Sequence, residues 1–322
     1  MVVTFVTLVA IWVIMVWSLD YGYWIALLLS LPAAGLLVRL FMIQHDCGHH
    51  SFFGSRRAND LVGWLIGVFT ITPHAYWREA HAIHHATSGD LTLLTVREYE
   101  GLSRWRRLAY RLYRHPFVLL GLGPVYVFVV KFRLLLDMLR KRWRLLPGVL
   151  ATNLAIAAVI VVLGIVVGYA EFAMVQTPIT MIAASIGVWL FFVQHQFEST
   201  YWARSEDWDF HQASVAGSSY YDLPPVLRWF AANIGIHHVH HLCSRVPSYR
   251  LEDCLKSVPE LRRINRITLS DSTACAWLSL WDEDQCRLVS FRALARAPSG
   301  PVVEPRQSAD ASTTPVPPVA FD

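Results

Sequence analysis

The chain has 322 residues, of which 54% are hydrophobic and only 16% charged, with 13 Trp and a mean hydropathy of +0.37. Soluble domains carry about 25% charged residues, so this composition excludes an ordinary soluble fold and indicates an integral membrane protein. The formal charge of +4 is modest and gives no reason to expect a nucleic-acid partner, so what matters is where Lys and Arg fall along the chain.

The first apolar segment, "MVVTFVTLVAIWVIMVW", runs to Trp17. It lacks a charged leading region and reads as a first membrane helix rather than a signal peptide, with an N-terminal flank that is brief or missing. A polar "SLDYG" follows, and "YWIALLLSLPAAGLLVRLFMI" leads to His45, which predicts a helical hairpin. A second hairpin is predicted from "PGVLATNLAIAAVIVVLGIVVGY", a link "AEFAMVQTP", and "ITMIAASIGVWLFFV" ending at His195. Each segment approaches the roughly 20 helical residues that cross a hydrocarbon core about 30 Å thick.

Neither tight link contains Lys or Arg, whereas Arg56, Arg57, the run "RWRRLAYRLYR" at 104–114, the run at 131–144, Arg204, Arg228, Arg245 and Arg250 crowd the other ends. The positive-inside rule then puts both termini and these loops in the cytoplasm. Two further apolar runs, "LVGWLIGVFTITPHAYW" and "FVLLGLGPVYVFVV", are short or broken by Pro and Gly and are expected to be interfacial or re-entrant. The basic stretch 131–144 suits a helix on the anionic inner leaflet, or simply a solvated charged helix. Residues 1–296 are expected to form one membrane domain, and the Pro/Ser/Thr-rich residues 297–322 a disordered tail. The five cysteines, Cys47, Cys243, Cys254, Cys275 and Cys286, form no CxxC pair and argue against a disulfide framework.

The histidines carry the chemistry. His45 and His49 are spaced i, i+4, and His81, His84 and His85 are spaced i, i+3, i+4, a pattern that His237, His240 and His241 repeat. Residues three and four apart share a helix face, so each group aims its imidazoles at one point. All three groups lie near helix ends on the cytoplasmic side, and His195 at the end of the last span joins them. One zinc would leave most of nine imidazoles idle, and HExxH is absent. Two metals with four or five ligands each use the full set, and a redox-active iron pair at a lipid interface suits O₂ activation against an inert C–H bond.

Asp46, Glu79, Asp90, Glu198 and Asp222 are candidates to accept the second ring N–H of a ligand, or are plain loop carboxylates. His50 and His238 sit one residue off the repeated spacing, about 100° around a helix, and are left out of the ligand set. His74, His115 and His211 read as surface or hydrogen-bonding residues. A metal-transport reading predicts ionisable groups at mid-membrane, and the spans are nearly empty of them, with Arg39 near a helix end.

The combination of "HDCGHHSFF", "HAIHHATSGD", "FFVQHQFESTYW", "GSSYYDLP" and "IGIHHVHHL" resembles the membrane fatty acid desaturases, particularly bacterial acyl-lipid enzymes of the delta-12 (omega-6) type, over residues 20–290. The resemblance places the metal ligands at His45, His49, His81, His84, His85, His237, His240 and His241, with His195 as the additional ligand. It implies an all-α membrane protein: four transmembrane helices in two hairpins, and a cytoplasmic helical cap that holds a di-iron centre above an acyl-chain tunnel. Phe41, Trp77, Tyr220 and Tyr221 are candidates to line that tunnel, or are packing and anchor residues. The implied reaction uses O₂ and two electrons to make a cis double bond in a lipid acyl chain. No fused heme-binding HPGG-type segment is present, so a separate carrier such as a ferredoxin is expected to deliver the electrons. The inner (plasma) membrane of a bacterium is the expected location. Similar boxes serve membrane hydroxylases and ketolases that act on alkanes or carotenoids, the alternative reading.

Overall fold

A computed structural model of the protein describes residues 1–87, 92–133, 143–204 and 206–296. Asp90, most of the basic stretch at 131–144 and the tail at 297–322 lie outside these.

The described chain is mostly helical. Helix α1 (Val2–Ser18) and α2 (Tyr23–Gly48) form the first hairpin, turning at Gly22 with φ 146°, a backbone region essentially reserved for glycine. The second pairs α8 (Leu146–Val167) with α9 (Tyr169–His195). Here the expected link "AEFAMVQTP" is not a loop. Gly168, at φ 106°, makes the whole turn, and the link forms the first turns of α9 because Ala, Glu, Met and Gln are good helix formers. Pro32 in α2 and Pro178 in α9 are tolerated as prolines are in membrane helices generally.

Among the described residues, three helices are long and apolar enough to cross a membrane: Tyr23–Gly48, Trp143–Val167 and Tyr169–His195. Helix α1 is apolar throughout but shorter, at 17 residues, about 25 Å. Between the hairpins come α3 (Arg56–Phe69), α4 (His74–Thr87), α5 (Val96–Glu100) and α6 (Arg104–Tyr113). They are followed by α7 (Val118–Lys131), partly π-helical and bent 58° from α6 in the manner of a broken span or re-entrant loop. The 14 residues of α3 reach only about 21 Å, short of a hydrocarbon core about 30 Å thick.

Helix α2 is the central post, packed against α1, α3 and α9. Ala26, Ala33 and Ala34 are fully buried along it, and such small residues let membrane helices approach closely. Counting from their starts, His45 lies about 33 Å along α2 and His195 about 39 Å along α9, each farther along its helix than a hydrocarbon core about 30 Å thick.

The fold is not purely α. Strands β1 (Leu94–Thr95), β4 (Leu278–Asp282) and β5 (Arg287–Ser290) form one small sheet, β1 parallel and β5 antiparallel to β4. Strands β2 (Tyr220–Asp222) and β3 (Arg266–Thr268) form a parallel pair. These strands have two to five residues each, too few for a period-two signal to stand out.

Candidate metal centre

Four elements bring the nine expected histidines together. His45 and His49 close α2, His81, His84 and His85 lie on α4, His195 ends α9, and His237, His240 and His241 occupy α10 (His237–Leu242). They form not one locus but two adjacent groups, the first of His45, His49, His81, His85 and His240, the second of His84, His195, His237 and His241. Within each group the candidate ligand atoms lie within 4.8 Å of one another. The boxes are therefore split: α4 gives His81 and His85 to one group and His84 to the other, and α10 gives His240 to the first and His237 and His241 to the second.

The donor set fits a metal. Two nitrogens about 2.1 Å from one ion and at right angles lie about 3.0 Å apart. In the first group the Nε2 pairs His45–His81, His81–His85 and His85–His240 stand at 3.0, 3.1 and 3.1 Å. In the second, His195–His237, His237–His241 and His84–His241 stand at 3.0, 3.1 and 3.2 Å. His49 Nε2 is buried with no hydrogen-bond partner among the described residues.

Tautomers sharpen the case. His195 donates its Nδ1–H to the Gly217 carbonyl at 3.1 Å, and His45 donates its own to Asp46 Oδ1 at 3.2 Å. A neutral imidazole has one donor nitrogen, so both rings turn an Nε2 lone pair toward their neighbours. A cation converts that repulsion into coordination. Protonation is no escape: burial first, then repulsion from neighbouring imidazoles, holds His85 down to about 3 and His49, His81, His237, His240 and His241 well below the ordinary histidine range.

Of the carboxylates, Asp46 does what was expected, and its other oxygen accepts the Ser248 backbone N–H at 2.8 Å. Asp222 instead pairs with Arg228 and Arg266, and Glu198 with Arg287. Trp77 stacks on His81 with centroids 4.5 Å apart, and Phe41 meets Trp77 edge-on, so these two flank the first group. The Tyr221 hydroxyl bonds Ser272 and that of Tyr220 bonds Asp222, and both residues are buried.

His50 and His238 stand outside both groups, as expected: His50 Nε2 lies 3.0 Å from Asp60, and His238 Nε2 donates to the Leu261 carbonyl at 2.9 Å. His74 is a correction. It is buried, and neither ring nitrogen has a hydrogen-bond partner among the described residues. The ring lies where a Cβ on Gly63 would come within 2.4 Å, so the glycine of α3 makes room for it.

Residues that position the histidines were not singled out from the sequence. Gln44 bonds both the Thr70 hydroxyl and the Thr72 carbonyl, fixing α2 against the turn into α4. Ser219 joins α9 to α10, its N–H donating to Gln194 and its carbonyl accepting from His237 N–H. A Cβ on Gly235 would lie 2.4 Å from the Tyr221 carbonyl, so only glycine permits this approach. The available signal was the pair of glutamines beside box histidines, in "IQHD" and "FVQHQF".

Apolar helices ending at two contiguous all-imidazole sites define a membrane protein with a candidate two-metal centre. Residues 2–269 match the family model described as fatty acid desaturase. The chain is 45% identical over 303 residues to a "Fatty acid desaturase" of Bacillus subtilis, covering 92% of this chain and 86% of that one. It is 27% identical to an "sn-1 oleoyl-lipid 12-desaturase" of Anabaena variabilis, over 76% and 72% of the two chains. It is 24% identical to an "sn-1 acyl-lipid omega-3 desaturase (ferredoxin)" of a Nostoc species, over 76% and 69%. The chain belongs to the fatty acid desaturase family and is an oxidoreductase of that family.

Proposed function

We propose that the two histidine groups hold two iron ions, His45, His49, His81, His85 and His240 at one and His84, His195, His237 and His241 at the other. On this reading the enzyme uses O₂ and two electrons to place a cis double bond in the acyl chain of a membrane lipid, with regiochemistry of the delta-12 (omega-6) type. The observation that carries it is the pair of adjacent all-imidazole groups, the first half-buried to buried and the second buried, at right-angle ligand spacing. Bound iron would supply the O₂ and one-electron chemistry that side chains lack. The chain's own part is to orient and seal. Asp46 and the Gly217 carbonyl fix the tautomers of His45 and His195 so that Nε2 faces inward. Trp77 covers His81 on one side.

The names of relatives support the finer points: an oleoyl-lipid 12-desaturase favours a glycerolipid-borne chain and delta-12 attack, and a ferredoxin-dependent relative favours an external ferredoxin-like donor. We further place four spans, α1, α2, α8 and α9, in a bacterial inner membrane, with residues 1–296 as one domain and both termini and the histidine centre cytoplasmic. Support comes from the emergence of His45 and His195 about one membrane thickness along their helices and from the arginines gathered beyond those ends.

The test is expression beside a ferredoxin system, followed by mass spectrometry of total fatty acids for wild type and His240→Ala. New unsaturated species that vanish in the variant are expected, and their fragmentation gives the bond position. A lipid that gains oxygen instead would move the assignment to hydroxylation or ketolation, and an unchanged profile in an iron-loaded protein would overturn it.

A further inference from the structure

Helix α6 faces the protein with one side only. Tyr110 and Arg114 are buried, Tyr110 donating its hydroxyl to the Ser279 carbonyl at 2.7 Å and Arg114 bonding Gln196 Oε1 at 2.8 Å and the Leu278 carbonyl at 3.0 Å. At about 100° per residue, the opposite side of the helix holds Trp105, Leu108, Ala109 and Leu112. These should face water if α6 were a helix of a soluble cap. Instead that side is apolar and open: Trp105 is 80% exposed, Leu112 55% and Leu108 47%, and Phe117, just beyond the helix, 69%. Arginines flank the stripe, with Arg106 on one edge and Arg104, Arg107 and Arg111 on the other.

The second edge is a shaped site. Arg104, Arg107 and Arg111 line an open concavity of about 450 Å³ together with Tyr99, Leu108 and Phe291, the last from α11 (Phe291–Arg296). Arg111 is held in place, donating Nε–H to the Tyr99 hydroxyl at 2.7 Å and lying 5.2 Å from the Phe291 ring centroid. Arg107 donates Nε–H to the Leu102 carbonyl at 3.0 Å. Glu100 is the one carboxylate on the lining, so three guanidinium groups dominate its field.

We propose that α6 lies in the headgroup plane of the membrane and that Arg104, Arg107 and Arg111 bind the phosphate of an anionic phospholipid, whose apolar part runs along Leu108 and Trp105. An open apolar face between two arginine edges is the pattern of an interfacial helix. Arginine forks match phosphate oxygens, and the helix continues through a 58° bend into the apolar α7. An acidic electron carrier would satisfy the arginines but leave the adjoining apolar stripe in water, which is why the lipid is the better occupant.

The test uses the full chain in nanodiscs of phosphatidylcholine mixed with phosphatidylglycerol, followed by native mass spectrometry of the lipids retained on release. Wild type should retain phosphatidylglycerol in preference to phosphatidylcholine. Each arginine near an anionic surface accounts for about a fivefold effect, so Arg104→Glu should weaken that preference at least fivefold. The triple change of Arg104, Arg107 and Arg111 to Gln should abolish it. Arg107 and Arg111 also hold the helix, so Arg104→Glu, which leaves their bonds intact, decides the matter if the triple variant does not fold. No preference in wild type, or equal preference in wild type and Arg104→Glu, would overturn the proposal. So would an Arg104→Glu variant that loses ferredoxin binding while retaining phosphatidylglycerol from the mixed nanodiscs as wild type does, which would hand the site to an acidic protein.

Discussion

Replacing Asp46 by Asn tests the histidine centre through a residue that touches no metal. Asp46 is 1% exposed and uses its two oxygens separately, Oδ1 for His45 Nδ1–H and Oδ2 for the Ser248 N–H. Asparagine keeps one oxygen, which the Ser248 N–H would claim, and turns its NH₂ toward His45. Two donors cannot face each other, so His45 must present its Nδ1 lone pair and move its proton to Nε2, the nitrogen that lies 3.0 Å from His81 Nε2. Losing such an outer partner typically costs 10–100-fold in metal affinity, or about 1.4–2.8 kcal/mol. Only the first group contains His45, so on the proposed di-iron reading iron per chain should fall from about two toward one as a chelator is titrated, while the second site holds. Elemental analysis at stepped chelator concentrations, with a thermal melt to show that the fold persists, reads this directly. Equal iron retention by Asp46→Asn and wild type would refute the tautomer argument, and simultaneous loss of both irons would refute the independence of the groups.

His84→Ala and His85→Ala change neighbouring residues of one box, yet they should empty different sites, distinguishable by Mössbauer spectroscopy. The same signature from both would contradict the partition. Gly235→Ala forces a Cβ to within 2.4 Å of the Tyr221 carbonyl and should cost about 1–3 kcal/mol, seen as a lower melting temperature with loosened iron. The metal-free protein should lose stability as pH falls below about 6.5. Burial and neighbouring imidazoles hold His49, His81, His237, His240 and His241 neutral and His85 down to about 3, whereas in the unfolded chain these rings take up protons at their ordinary value, so unfolding binds protons and acid favours it. A chelator-stripped sample whose melting temperature stays flat from pH 7.5 to pH 5 would refute this.

The histidine set was legible because helix geometry converts i, i+3, i+4 spacing into convergence without knowledge of the tertiary fold. The hairpins were legible too, since composition alone marks 20 apolar residues as a span. What failed to show was set by contacts distant in sequence. "AEFAMVQTP" looks like a link, and only the single glycine turn at Gly168 reveals it as helix. The strands at 278–282 and 287–290 gain their order from pairing with each other and with Leu94–Thr95, more than 180 residues away for the latter pair. His74 reads as an ordinary polar residue until Gly63 of α3 is seen to make space for it.

The division into two sites follows from the same angles once the two helices face each other. Taking the first histidine of each three-member box as zero, the third lies about 40° away and the second about 60° away on the other side. In α4 the outer pair, His81 and His85, turns to one group, and His84 to the other. In α10 the outer pair, His237 and His241, joins His84, while His240 joins His81 and His85. Each helix thus gives two ligands to one site and one to the other, in opposite senses. The ends of α2 and α9 then complete the sites unequally, His45 and His49 bringing the first to five and His195 bringing the second to four. The single histidine at the end of α9 is what makes the second site a full tetrad, so on the proposed di-iron reading His195→Ala should leave three imidazoles there and loosen that site's metal while the five-histidine site keeps its own.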